Sequence, residues 1–256
     1  MNKFHLAVLL SVAAAATAAA QTTPTSGVGA LAPANLTKSR PKPPFDLTGT
    51  WLHGGGQNNN FRFVPPEGTK LTPFAQGHLD ASKKAAAEGK AYKDDIGNCW
   101  PAGLPVIMTR VWPITMIQTP TEIFMISSFM NSTRFIFLDG RKHTDPDEVV
   151  RSFNGESIGH WEGDALVVDT RNFVDDHHWI DNGIPATDAL RIIERIKLID
   201  SGKTLEIEYT FSDPKSYEGE WKSTKRFRRV DDTDVIEASC LPDLNEHMPS
   251  TKNVVR

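Results

Sequence analysis

From about residue 104 onward, apolar and polar side chains alternate at every second position, which is the period of a half-buried β-strand. In Thr204–Phe211, Leu205, Ile207, Tyr209 and Phe211 share one face and Thr204, Glu206, Glu208 and Thr210 the other. Val111–Thr119, Glu122–Phe129 and Thr133–Leu138 are rich in Ile, Phe, Met and Thr, with hairpin turns at Pro120-Thr121 and Met130-Asn131-Ser132. Ser157–Trp161 turns through Glu162-Gly163-Asp164 into Ala165–Thr170, a strong hairpin signal. Leu190–Ile199, Thr204–Phe211, Trp221–Arg229 and Val235–Cys240 complete a meander. This pattern predicts an all-β, mainly antiparallel barrel of about 8–10 strands, because successive hairpins close easily and leave no bare edge. A β-sandwich is the alternative.

One segment breaks the period. After Thr72-Pro73 the chain is rich in Ala, Lys and Glu to about Lys90, and Thr72 can cap a helix whose first turn holds Pro73. We read it as a helical excursion from the sheet. Gly54-Gly55-Gly56 and Asn58-Asn59-Asn60 read as an open loop before it.

The N-terminus has another character. Leu6–Ala20 is an apolar run interrupted by Ser11 and Thr17, with Lys3 before it and small residues at its end. That is the pattern of a cleaved signal peptide, and the run is short for a membrane span. Residues 1–20 are assigned to it, 21–44 to a flexible Pro-rich linker, 45–245 to one barrel-like domain and 246–256 to a tail. Export implies a periplasmic or secreted protein, and no later apolar stretch reaches membrane length.

The formal net charge of −4 becomes −5 once Lys3 is removed, so nothing strongly basic argues for nucleic acid as a partner. The two cysteines, Cys99 and Cys240, either form a disulfide, which an oxidising compartment favours, or remain separate buried thiols. Neither belongs to a CxxC pair, so a cysteine metal site is not expected. The chain has no GxSxG elbow, no GxGxxG and no P-loop, so neither a dinucleotide nor a nucleotide cofactor is expected.

Parity singles out Glu194. Leu190, Ile192, Glu194, Ile196 and Leu198 share a face, so the carboxylate stands among apolar neighbours. It is either an acid/base or ligand anchor inside the barrel, or half of a buried ion pair with an inward Arg, such as Arg134 or one of Arg226, Arg228 and Arg229. In Asp175-Asp176-His177-His178-Trp179-Ile180-Asp181, His177 and His178 are candidate acid/base groups and Trp179 a substrate contact. Neighbouring side chains of an extended loop point opposite ways, so the two His are not expected to hold one metal ion. Asp213, after a strand, is either a turn starter or a second carboxylate facing Glu194. Tyr217 is a possible hydroxyl donor. His160 and His143 are either rim residues or parts of turn chemistry.

Two resemblances accompany these readings. Gly49-Thr50-Trp51 at the head of a β-meander resembles the G-x-W start of lipocalin-like barrels. That likeness implies a Trp closing one end under a late-strand Arg, here Arg226 or Arg228. The segments Asp139-Gly140-Arg141-Lys142-His143, Gly159–Thr170, Glu194-Arg195 and Asp213–Tyr217 resemble a mostly uncharacterised family of exported proteins of sphingomonads and acidobacteria. This likeness spans about residues 100–256 and implies location and a β-barrel fold, but no activity.

The expectation is a cofactor-independent enzyme doing lyase, isomerase or hydratase chemistry on a small, partly apolar, possibly aromatic molecule. Glu194, His177, His178 and Asp213 would be its acid/base groups, and Tyr217, Arg134, His160 and Trp179 its substrate contacts. The rival is a small-molecule-binding barrel with no chemistry.

Overall fold

The computed structural model describes residues 28–54, 61–181, 183–241 and 254–255. The segment expected to be a signal peptide, and the 55–60 part of the Gly/Asn loop, lie outside the described residues. Nine strands close into a barrel. In chain order they are β1 (Gly49–His53), β2 (Ile114–Gln118), β3 (Glu122–Ser127), β4 (Ser132–Phe137), β5 (Glu156–Glu162), β6 (Ala165–Arg171), β7 (Arg191–Ile199), β8 (Thr204–Ser212) and β9 (Glu220–Val230). Around the wall the order is β1, β9, β8, β7, β6, β5, β4, β3, β2, and β2 pairs back onto β1. The barrel expected from the alternation is the observed fold, and the sandwich alternative is set aside.

Every contact in the wall is antiparallel except β4–β5, which is parallel and pairs only Ile136 with Ser157 and Phe137 with Ile158. A parallel return needs a connection of about a dozen residues, and 138–155 supplies it. The predicted strand Val235–Cys240 is not one. It runs as a strap outside the wall, where Ile236 N–H donates to Ser128 Oγ (3.0 Å) and Ala238 N–H to Asn131 Oδ1 (2.8 Å). A disulfide between Cys240 and Cys99 ties it down. The Pro-rich segment is not a bare tether throughout either. Pro33–Leu36 forms a helical turn, and its buried Asn35 donates to Asp139 Oδ2 (3.2 Å).

One end of the barrel is closed by Trp51. Its ring is fully buried, its indole N–H donates to Leu47 O (3.1 Å), and the Arg229 guanidinium lies 4.3 Å above it. The expected partners were Arg226 and Arg228, and the structure corrects this. Trp221, Lys225 and Phe227 are buried on the inner face of β9, so odd positions point inward and Arg229 follows them. Arg226 instead pairs with Glu206 on the outer wall.

The opposite end is covered by the 61–113 excursion and the loop 172–190. Phe63 reaches inside, with ring centroids 4.9 Å from Tyr209 and 5.0 Å from Phe211. Leu104, Ile107 and Ile180 are buried with it. The expected helix is Pro73–Ala87, and Thr72 Oγ1 accepts from Ala75 N–H at 3.2 Å. No helix among the described residues is long and apolar enough to cross a membrane.

Candidate functional site

Alternation along β7 turns Glu194 into the barrel, where its exposure is 0%. Arg134 on β4 meets it from across the interior. Its Nη1 donates to Oε1 (3.0 Å) and its Nη2 bonds Oε2. Two further guanidinium bonds go to hydroxyls. Nε reaches Ser157 Oγ (3.0 Å), Nη2 reaches Thr170 Oγ1 (2.9 Å), and those two hydroxyls lie 3.0 Å apart. Bidentate pairing plus two hydroxyls is what a charge pair needs to survive burial. Of the two sequence readings of Glu194, the ion pair with Arg134 is therefore the one present. The carboxylate is committed to its counter-charge.

Beside this pair stands Tyr209, the register partner of Glu194 on β8. It is fully buried, and its hydroxyl has no hydrogen-bond partner among the described residues. Burial, reinforced by the Glu194 charge, pushes its pKa well up, so it stays a neutral donor. A buried hydroxyl left unmatched costs about 1–3 kcal/mol, so a native structure that keeps one calls for an explanation. Aromatic rings line the same region. Phe211 stacks on Trp221 at 4.3 Å, and the Tyr217 ring is 6.2 Å from Trp221.

Two further inward groups escaped the sequence reading. Lys225 on β9 is 2% exposed, donates from Nζ to Arg62 O (2.7 Å) and lies 4.7 Å over the Phe63 ring. Burial pushes its pKa down to about 8. His53 on β1 stacks on Phe61 at 4.2 Å, and burial, followed by the Lys225 charge, holds it down to about 4, so it is a neutral imidazole. The signal was present. Lys225 has the parity of Trp221 and Phe227, and His53 has the parity of Trp51.

The other predicted residues do not join them. His177 and Trp179 both grip Asp95, with His177 Nδ1 2.8 Å from Oδ1 and Trp179 Nε1 donating to Oδ2 at 2.6 Å. The His177 ring also stacks on Trp100 at 3.9 Å. As expected for neighbours, His178 points the other way. It is buried, its Nε2–H donates to Leu104 O (2.7 Å), and burial pushes its pKa down to about 4. That bond occupies one ring nitrogen in tying two loops together, which corrects its assignment as an acid/base group over the mouth.

Asp213 is turn chemistry. It accepts from Thr187 N–H (2.9 Å), Thr187 Oγ1 (2.8 Å) and Lys215 N–H (3.2 Å). It lies four residues beyond Tyr209, about 13 Å along the chain from the Glu194 level. Tyr217 is fully buried beside it, and its hydroxyl has no hydrogen-bond partner among the described residues. His160 is exposed on the outer wall with Glu162 at 2.8 Å, which corrects its reading as a substrate contact. His143 is also structural, with Nδ1 3.0 Å from Glu156 Oε2. Among the described residues, no group of three His, Cys, Asp or Glu is arranged to hold a metal ion.

A concavity of about 600 Å³ lies where β4 and β5 part, lined by Phe135, Phe137, Val149, Val150 and Phe153. Arg141, 3.8 Å over the Phe137 ring, stands at its edge and is held by Asp139.

No family model matches the chain, and no curated protein does. Among solved structures it is similar to a REP1-NXSQ fatty acid transporter, with 11% identity over 72% of this chain and 96% of that chain and a TM-score of 0.32. A likeness of that size carries no argument.

Proposed function

We propose that this protein binds a small, partly apolar molecule inside its barrel, beneath the 61–64 segment. The Tyr209 hydroxyl carries the reading. It is a buried donor aimed at the interior with no acceptor among the described residues, and a ligand oxygen would match it. The aromatic rings around it suit an apolar or aromatic body. The committed Arg134–Glu194 pair supports binding over Glu194-based catalysis, because a buried carboxylate held on both oxygens by a guanidinium is poorly placed to move a proton. The disulfide supports the exported location expected from residues 1–20.

The test is mass spectrometry of the molecule retained by protein from its native host, followed by its titration into native protein and Tyr209→Phe. We expect a weakening of about five- to tenfold in the variant, the worth of one hydrogen bond. Equal binding by a folded variant would remove Tyr209, and no retained molecule would count against the reading itself.

A cofactor-independent proton-transfer enzyme is the second reading. Lys225 favours it, because a buried amine with a pKa of about 8 can exchange a proton near neutrality. Lys225 and His53, not Glu194 and Asp213, would then be the acid/base groups. Conversion of the retained molecule, lost in Lys225→Met, would establish it.

A further inference from the structure

The concavity between β4 and β5 is held open by the backbone on both of its sides. On the β5 side, Ser152 N–H donates to Asn172 O (3.4 Å), and Val174 N–H donates back to Ser152 O (3.2 Å). Phe153 O accepts from Leu104 N–H at 3.0 Å. Gly155 takes a φ of +64°, and a Cβ there would fall 2.6 Å from Arg171 O, so a side chain could not let the chain press this closely against β6. On the other side, β4 is paired along its whole length with β3, from Phe137 opposite Glu122 to Ser132 opposite Ser127. The segment entering β5 is thus drawn toward β6, and β4 toward β3. The wedge left between them, about 600 Å³, is in the size range of small-molecule sites.

Its walls are apolar and aromatic. Phe135 and Phe137 have the outward parity of β4, opposite to the buried Arg134 and Ile136. Phe153 lines the same space from the β5 side. Phe135 is 45% exposed and Val150 66% exposed, although both are large apolar side chains. A flat aromatic body inserted here would cover them.

The polar lining narrows the choice further. Arg141 gives Nε and Nη2 to the two oxygens of Asp139 (2.9 and 2.7 Å), so its charge is already offset. Glu156 is a carboxylate that already accepts from Thr144 N–H (2.9 Å), Thr144 Oγ1 (2.7 Å) and Asn172 Nδ2 (3.1 Å). An anionic ligand would meet that carboxylate and gain little from Arg141, so a neutral one fits better. One acceptor is left over. Asn154 donates from Nδ2 to Thr133 O (2.9 Å) and Ser132 Oγ (3.2 Å), which bridges the wedge and fixes which end of the amide is oxygen. Its Oδ1 is buried with no hydrogen-bond partner among the described residues. Such an oxygen calls for an O–H or N–H from outside the chain.

We propose that this wedge is a second ligand site, separate from the barrel interior, for a neutral, flat aromatic molecule bearing a hydroxyl or N–H donor, the chemistry of a phenol or an indole. Phe135, Phe137 and Phe153 contact its ring, and Asn154 Oδ1 accepts its donor. The site needs nothing from the barrel interior.

The experiment titrates 2-naphthol and its methyl ether, 2-methoxynaphthalene, into the native full chain by calorimetry. We expect the alcohol to bind about five- to tenfold tighter, the worth of one hydrogen bond. In Asn154→Ala the two should come within about twofold of each other. Val150→Asp, a change at an exposed position, puts a charge at the rim and should weaken both by about fivefold or more. Equal affinities of alcohol and ether for the native chain would overturn the donor, and a preference that survives Asn154→Ala would overturn the role of Asn154. Native-like binding by Val150→Asp, or no binding by the native chain, would overturn the site itself. Should Asn154→Ala fail to fold, the native comparison and Val150→Asp still decide.

Discussion

Arg134 and Glu194 sit on strands separated by two others in the wall, and they meet across the barrel interior, each 2% exposed or less. The pair thus braces two sides of the barrel that no backbone ladder joins. Removing one partner strands the other charge. Glu194→Gln is expected to lose about 3–5 kcal/mol, or about 10 °C in melting temperature. The double variant Arg134→Met/Glu194→Leu removes both charges together and should recover most of that loss. Denaturant titrations of the two single variants and the double variant check this. A double variant as unstable as the sum of the singles would mean the ion pair is not what these residues contribute.

The pair was half-legible in the sequence, and the reason is physical. Parity along residues 190–198 turned Glu194 inward without any tertiary information, since side chains alternate whatever lies opposite. Its partner was one of several Arg residues, and choosing Arg134 required knowing that β4 faces β7. The β4–β5 pairing was not legible, because a parallel neighbour is set by where a long connection returns. The loop residues were the least readable. His177, His178 and Trp179 are placed by Asp95, Trp100 and Leu104, some 75 to 85 positions away, and no local period encodes that. Lys225 was legible too, since the parity of β9 carries it inward as it does Arg229.

His143 lies between Glu156 and Asp169 and makes stability pH-dependent in two directions. Burial alone would lower its pKa, but the Asp169 carboxylate 3.6 Å from Nε2 and the hydrogen bond to Glu156 outweigh burial and raise it above 6.5. Burial would raise Glu156, but bonds from His143 and Thr144 bring it down to about 2 from 4.5. The raised histidine stabilises fully below 6.5, and that contribution fades as pH climbs through its folded value. The depressed carboxylate stabilises fully above 4.5, and its contribution is lost as pH falls toward about 2. The cluster therefore contributes most between those two limits. Comparing His143→Gln with native protein at about pH 5, 7 and 9 should give the largest gap at the lowest of the three. A gap that grows with pH would contradict the arrangement.

Lys225 should act in the opposite sense. Its folded pKa, about 8, lies below the 10.5 of an exposed lysine. Between those values the unfolded chain holds the proton that the folded chain has released, so its contribution to stability rises with pH. Lys225→Met removes the buried charge and should stabilise the protein at neutral pH by about 1 kcal/mol, less at alkaline pH. A variant that melts lower at neutral pH would show that the Nζ contact with the Arg62 carbonyl outweighs the cost of burying the ammonium.

The Cys99–Cys240 disulfide closes a loop spanning 141 positions, which takes in every barrel strand except β1. Chain entropy assigns a crosslink of that length about 4–5 kcal/mol, because the unfolded chain loses the most freedom when distant points are joined. Its effect should be global, with local consequences small by comparison. The strap it fixes touches the barrel through Ser128 and Asn131, contacts that persist without the bond. Cys240→Ser is therefore expected to keep the folded-state circular dichroism while melting about 10 °C lower. Adding reductant to native protein should reproduce that shift and leave the variant unchanged. If reduction lowers the melting temperature by only a degree or two, the unfolded chain already holds these segments together, and the strap rather than the crosslink is what secures the C-terminal end.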